Sequence, residues 1–371
     1  MITRRDFVTA PPLAAAAPRG IRIEPDGMLA VNGRREFVLG LYQMPNVPDP
    51  WKSVREAGFN LVHLRPEARQ YDAARAAGLF GWSTTGSLPE AGPRLRPMVE
   101  ALKDHSALLF WETEDEPTYV YKKPRELRVP PERIVETARA IRRVDNSHPI
   151  YLNHAPTNLE STLRRYNEAS DIVATDIYPV APRGIREQFA LWPDGQQGDF
   201  LNSTVSQVGQ YADKMRRVAG PARAVFMVLQ AFAWEMLRKQ DRDPKMILYP
   251  TRAETRFMAY QAIVHGANGL LWWGIRHAPA GAPMWRDLAA VAAELHGIRT
   301  DLASPRRELA LKIEYHDTGH SLDRGIEWIA RGRRLIAVNA DKNPVDASIS
   351  GAGLAVREEF EPFGVRLYRL N

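Results

Sequence analysis

Residues 108–117 read Leu-Leu-Phe-Trp-Glu-Thr-Glu-Asp-Glu-Pro, an apolar run that ends in four carboxylates and a proline. Ionised carboxylates at the end of a buried strand must be solvated, paired or kept neutral, so acids placed there are costly unless they are used. A bland alternative is that acids crowd the first turn of a helix, where its dipole favours them. Other chemistry-bearing residues stand at the ends of further apolar runs: Tyr42, His63 with Arg65, Trp82, Asn153 with His154, Asp176 with Tyr178, Gln230 with Glu235, and Trp272 with Trp273. This mixture suits a sugar. Carboxylates handle protons and stabilise an oxocarbenium ion, while flat rings take the apolar faces of a pyranose.

Composition removes several other chemistries. The 371 residues include no cysteine, which excludes disulfides, zinc-thiolate sites and cysteine nucleophiles. The net charge of +6 comes from arginines spread along the chain, so no nucleic-acid surface is expected. His63, His154 and His277 lack ligand-like spacing and read as hydrogen-bonding or packing residues rather than a metal site; His316 and His320 read as decoration of a turn. No Gly-x-Ser-x-Gly elbow supports a Ser-His-Asp triad. No cofactor is expected.

The elements that position these residues alternate. Strand-like runs fall at 37–42, 61–64, 79–82, 107–111, 150–153, 172–177, 224–230 and 269–274, with helical stretches at 49–57, 68–77, 94–103, 131–144, 157–168, 203–219 and 251–265. Eight such runs separated by helices fit an α/β fold of the (β/α)8 TIM barrel type. A doubly wound sheet would usually carry a glycine-rich phosphate loop after its first strand, and none is present. Before the barrel, Asn32-Gly33 favours a tight hairpin turn. From about residue 308 the rhythm turns to period two, marking a small antiparallel β-sandwich domain. The expected partition is 1–18, an export signal; 19–305, the barrel; and 306–371, the β domain. Successive strand residues face opposite ways, so one of Trp272 and Trp273 should be core and the other a sugar platform.

The signal is read from Thr3-Arg4-Arg5-Asp6-Phe7 and the alanine run that follows, which resemble a twin-arginine leader and imply a periplasmic or secreted protein. A chance arginine pair is the competing reading. No stretch reaches the roughly 18 apolar residues needed to cross a bilayer, so no membrane insertion is expected.

In this order, several motifs resemble the barrel glycoside hydrolases of clan A. They are Asp26-Gly-Met-Leu-Ala-Val-Asn-Gly-Arg-Arg-Glu-Phe-Val-Leu-Gly-Leu-Tyr as lead-in and first strand, Ala57-Gly-Phe-Asn-Leu-Val as the second, Trp111 to Pro117 as the fourth, Ala174-Thr-Asp-Ile-Tyr-Pro as the sixth, and His265-Gly-Ala-Asn-Gly-Leu-Leu-Trp-Trp as the eighth. The tail, with Leu335-Ile-Ala-Val-Asn-Ala and Phe363-Gly-Val-Arg-Leu-Tyr-Arg-Leu, is similar to the β-sandwich that often follows such barrels. The resemblance implies a carbohydrate substrate, Glu116 as general acid/base, and Trp273 as the sugar platform. Two positions depart from it. Asp115 stands where the family usually has an asparagine, and a neighbouring acid raises the pKa of Glu116 by like-charge repulsion. Strand seven ends at Gln230 where the resemblance implies a nucleophilic glutamate, and an amide cannot form a glycosyl ester. The second carboxylate is then Glu235, from the loop after strand seven, or Asp176, at the end of strand six. Tyr42, His63, Arg65, Trp82, Asp115, Asn153, His154, Tyr178, Gln230 and Trp273 are the expected substrate contacts. A non-catalytic carbohydrate-binding barrel is the rival, and a lyase or transglycosidase a third reading. The sequence names neither the sugar nor an oligomeric state.

Overall fold

The computed structural model describes residues 20–120, 123, 126–182, 204–316 and 324–370. The export-like segment with Arg4 and Arg5, and His320, lie outside the described residues. Three short antiparallel strands come first: β1 (Ile21–Ile23), β2 (Leu29–Val31) and β3 (Arg34–Glu36). Between β2 and β3, Asn32 and Gly33 take φ of 51° and 78°, the left-handed values that a tight hairpin turn demands. Ile21, Leu29 and Val31 belong to the same apolar cluster as the barrel interior, so this sheet closes one end of the barrel.

Eight parallel strands form the closed barrel: β4 (Val38–Leu41), β5 (Leu61–His63), β6 (Phe80–Thr84), β7 (Leu108–Asp115), β8 (Ile150–His154), β9 (Ile172–Ile177), β10 (Ala224–Gln230) and β11 (Gly269–Trp273). The ring shuts where β11 pairs β4, Leu41 lying opposite Trp272. All eight apolar runs of the sequence become these strands. The fourth reaches Asp115, well past the apolar stretch, because its acidic end stays paired with β8: Asp115 lies opposite Asn153 after a register shift between Glu112 and Asp115. Such a bulge bends a strand and re-aims its side chains.

Helices α1 (Pro50–Glu56), α2 (Ala68–Ala76), α3 (Gly92–Leu102), α4 (Pro131–Arg142), α5 (Glu160–Arg164), α6 (Gln207–Ala219), α7 (Arg252–Val264), α8 (Pro283–Gly297) and α9 (Arg299–Ala303) clothe the barrel. The sequence stretch 157–168 yields only the short α5 and a single 3₁₀ turn, Asn167–Ala169. Helix α8, which the sequence reading did not mark, completes the layer with Met284, Leu288, Val291 and Leu295 buried.

The tail is a sandwich of two three-stranded sheets. One holds β12 (Lys312–Tyr315), β15 (Val345–Gly351) and β16 (Leu354–Phe360); the other holds β13 (Ile326–Arg331), β14 (Arg334–Asn339) and β17 (Val365–Arg369). The outer face of the second sheet places Ile329, Ile336, Val338 and Val365 in the helix-layer core, and Arg256 of α7 donates from Nη1 to the Val365 carbonyl at 3.0 Å. Among the described residues no helix is long and apolar enough to cross a membrane.

Candidate active site

Alternation along each strand sends every second side chain into the barrel. Phe110, Tyr151, Phe226 and Leu271 fill the interior with apolar bulk. Above that layer polar groups take over, and a cavity of about 230 Å³ opens among Tyr42, Asp115, Glu116, Asn153, Asp176, Tyr178 and Trp273.

Glu112 sits on the floor and is fully buried. Its carboxyl accepts from Thr84 Oγ1 at 2.7 Å, Trp82 Nε1 at 3.1 Å and the Tyr42 hydroxyl at 3.3 Å. Burial, assisted by the charge of Asp115, raises its pKa to about 8, so Glu112 is mainly protonated at neutral pH. Tyr42 also shares a 2.7 Å hydrogen bond with the Tyr151 hydroxyl, tying this acid to a second ring.

Glu116 comes just past the end of β7 with φ of 42°, the left-handed region that a non-glycine residue occupies at a cost of about 1–3 kcal/mol. Its backbone N–H is held by the Asn153 carbonyl at 3.1 Å. This geometry brings the Glu116 carboxyl into hydrogen-bond contact with that of Asp176, from β9. Burial pushes Glu116 far above the usual carboxylate range, and the negative charges of Asp176 and Asp115 push it further. Asp176 is raised by burial to about 7, the hydrogen bond from Glu116 acting against that rise. Above about pH 7 the pair therefore holds one proton, on Glu116, Asp176 being the first to ionise. Beside them Asn153 Nδ2 donates to Asp115 Oδ1 at 3.0 Å and to Asp176 Oδ1 at 3.5 Å. Asp115 stays accessible to solvent; burial among its neighbours raises its carboxyl, and that open face tempers the effect.

The opposite wall is aromatic. Tyr178 stacks on Trp273 with ring centres 5.7 Å apart, Phe232 stands edge-on to both, and Trp234 donates from its indole N–H to the Tyr178 carbonyl at 3.3 Å. Gly274, at φ of 96°, follows Trp273; a Cβ there would lie 2.5 Å from the Phe232 ring, so only glycine lets this wall close up. Phe232, Trp234, Tyr119 and Gln207 line the cavity without having been singled out from the sequence. The signal for two of them was the apolar loop Ala231-Phe-Ala-Trp.

Several sequence candidates lie elsewhere. Gln230 is fully buried, and its amide is spent on the backbone: Oε1 accepts from the Val180 N–H at 2.9 Å, while Nε2 donates to the Val180 and Phe232 carbonyls at 2.8 and 2.9 Å. It braces the loop after β9 and does not line the cavity. Glu235 is also turned away, its Oε1 accepting from the Asp243 N–H at 2.7 Å and Arg238 Nη1 at 3.2 Å. As neighbour to inward Asn153, His154 faces out, packed on Tyr166 with both ring nitrogens unpartnered, and burial lowers its pKa to about 3. Arg65 is exposed and paired with Glu67. Trp82 is buried beneath the cavity as a donor to Glu112. His63 bonds Thr84 Oγ1 at 3.0 Å; burial lowers its pKa to about 4, tempered because 28% of the side chain is accessible. Trp272 packs edge-on against Phe59, away from the mouth that Trp273 lines.

Fold and site together define a (β/α)8 barrel with convergent carboxylates and rings at the C-terminal ends of its strands, where barrels of this class carry their chemistry. No protein-family model and no curated protein matches the sequence. Among solved structures the chain is similar to a glycoside hydrolase family 5 protein from Bacteroides vulgatus, with TM-score 0.59 and 14% identity over 95% of this chain and 90% of that one. A structure described as a glycoside hydrolase gives TM-score 0.60 and 14% identity, covering 97% and 95%. A variant of the family 5 mannosidase from Rhizomucor miehei gives 0.54 and 11%, covering 77% and 100%. At these identities the likeness is one of fold.

Proposed function

We propose that the chain is a glycoside hydrolase in which Glu116 protonates the leaving oxygen and Asp176 is the second carboxylate. The observation that carries this reading is the hydrogen-bonded Glu116–Asp176 pair facing an aromatic-walled cavity at the strand ends. One carboxyl of such a pair is protonated and the other ionised, as a two-carboxylate mechanism requires. A pair in hydrogen-bond contact is closer than the roughly 5–5.5 Å of retaining enzymes or the 6.5–9.5 Å of inverting ones, so substrate must part it. The anomer of the first product then reports which separation the complex adopts. Purified protein should release reducing sugar from a panel of oligosaccharides; no turnover by wild-type protein, or turnover that survives Glu116→Gln on unactivated substrates, sinks the assignment.

One observation favours a second reading, a carbohydrate-binding barrel. The end of strand seven, where a nucleophile is expected by resemblance, holds the immobilised Gln230. Glycan binding without turnover is its signature. The twin-arginine motif supports export, which replacement of both Arg4 and Arg5 by lysine tests: the precursor should then stay in the cytoplasm.

A further inference from the structure

Beside the Glu116–Asp176 pair, the cavity presents a run of hydrogen-bond acceptors. Asn153 Nδ2 faces Asp115 and Asp176, which fixes the amide's orientation, since a flipped amide would set its oxygen against two carboxylates. The Asn153 Oδ1 is then left buried with no partner, in a residue 4% exposed that lines the cavity. A buried acceptor without a donor is costly, and a ligand that brings the donor removes that cost. No lysine or arginine among the described residues lines the cavity. Arg128, whose charge reaches Asp115 and Glu116, spends its guanidinium behind them, on the Glu114 carboxylate at 3.1 Å and the backbone carbonyls of Asp115 and Glu116. Glu112 below is saturated by its own donors, the Tyr42 hydroxyl among them, and Tyr119, Thr157 and Tyr178 are further hydroxyl-bearing residues of the lining.

We propose that the site takes an amino sugar, with a protonated amine seated among Asp115, Asn153 Oδ1 and Asp176. An ammonium group carries three donors and no acceptor, the complement of this array. It also supplies a positive charge that none of the described lining residues carries, in surroundings where charge interactions are stronger than in water. A sugar acid brings acceptors to acceptors and charge to like charge. The Tyr178 and Trp273 rings serve the apolar face of the same sugar. For turnover this inference rests on the hydrolase reading, but it is tested by binding alone.

The experiment is calorimetric titration of the wild-type protein with glucosamine, N-acetylglucosamine, glucose and glucuronate, and with their galacto and manno counterparts, at a pH below the pKa of the amine. In at least one series the amino sugar should bind about tenfold or more tighter than its neutral counterpart, a difference of about 1.4 kcal/mol. N-acetylation, which keeps an N–H donor but removes the charge, should erase that advantage, and the sugar acid should bind weakest. Asp115→Asn should narrow the preference of the amino sugar over its neutral counterpart. Equal affinities for amino and neutral sugars, tighter binding of the acid, or no binding of any amino sugar overturns the proposal. A preference for the amine in a protein that cleaves nothing leaves this inference standing and sinks the hydrolase.

Discussion

At the barrel mouth and on the floor beneath it, Asp115, Glu116, Asp176 and Glu112 are all held above the usual carboxylate range, burial being the first cause in each. Where the tail meets α7 and α6, the same residue types behave in the opposite way. His265 donates from both ring nitrogens, Nδ1 to Asp213 and Nε2 to Glu327, at 2.9 Å each, and Glu327 also accepts from Arg324 Nη2 at 2.7 Å and Gln261 Nε2 at 3.0 Å. Burial there raises Glu327, but these partners outweigh it and hold the carboxyl at about 2. Burial likewise lowers His265, and its two carboxylate partners overcome that to hold it near 9. The junction is neutralised by direct ion pairs, whereas at the mouth the charge of Arg128 lowers Asp115 and Glu116 without outweighing burial. Uncompensated acids in a cleft cost stability and are a mark of chemistry, whereas a neutralised network is a mark of architecture.

The largest effect that tests this contrast is on catalysis. Glu116→Gln keeps the shape and removes the proton donor, and should lower hydrolysis of unactivated glycosides by about 10²- to 10⁴-fold, with far less loss on an aryl glycoside whose leaving group needs little protonation. Asp176 must be ionised and Glu116 protonated, so kcat/KM should rise with pH as the pair loses its first proton near 7 and fall again at higher pH as Glu116 ionises. An acid limb in the ordinary range near 4 contradicts the uncompensated-pair description.

The next effect is on stability. Because the folded pKa of Glu112 is raised to about 8 from 4.5, the stability linked to its proton is fully present below about 4.5 and is lost as pH rises through 8. Glu112→Gln cannot ionise. In urea titrations between pH 5 and 9, wild-type stability should decline relative to this variant, by roughly 2–5 kcal/mol across the range. Parallel curves sink the claim that Glu112 is buried as the neutral acid.

At the compensated junction the signs reverse. The contribution of His265 is fully present below its ordinary 6.5 and lost as pH rises through about 9; that of Glu327 is present above 4.5 and lost as pH falls toward 2. His265→Ala should therefore cost about 1–3 kcal/mol near pH 6 and little above pH 10, read as a loss of thermal midpoint that closes with pH. It should leave kcat unchanged. A catalytic loss at this distance would erase the distinction between the two clusters.

The barrel was legible because each strand is a compact apolar run with punctuation on both sides, and the tail because its period falls to two. Helix α8 was obscured by Pro279 and Gly281 just ahead of it and by Pro283 at its first position. At the site, alternation alone separates Asn153 from His154 and Trp273 from Trp272, since one of each neighbouring pair must face out. It carries no information on depth, so Trp82 and Glu112 read like mouth residues although they lie on the cavity floor. Nor does it say where a loop residue turns after its strand ends, which left Glu235 and Asp176 as equals.

The smallest effect resolves that last pair. Glu235 fastens the backbone N–H of Asp243 and the side chain of Arg238, closing a loop that carries Trp234 and Leu237 in the cavity wall. Glu235→Gln retains an acceptor of the same shape, so it should cost about 1 kcal/mol or less and leave kcat nearly intact. Glu235→Ala frees the loop, and should lower the thermal midpoint by a few degrees and raise KM through the displaced Trp234, again with little change in kcat. Asp176→Asn should do the reverse, nearly abolishing kcat in a protein that melts no lower than wild type, because an uncompensated buried acid has been replaced by a neutral amide. If Glu235→Gln instead loses turnover as completely as Glu116→Gln, the loop must rearrange on binding to deliver Glu235 to the sugar, and Asp176 then serves to hold the proton on Glu116.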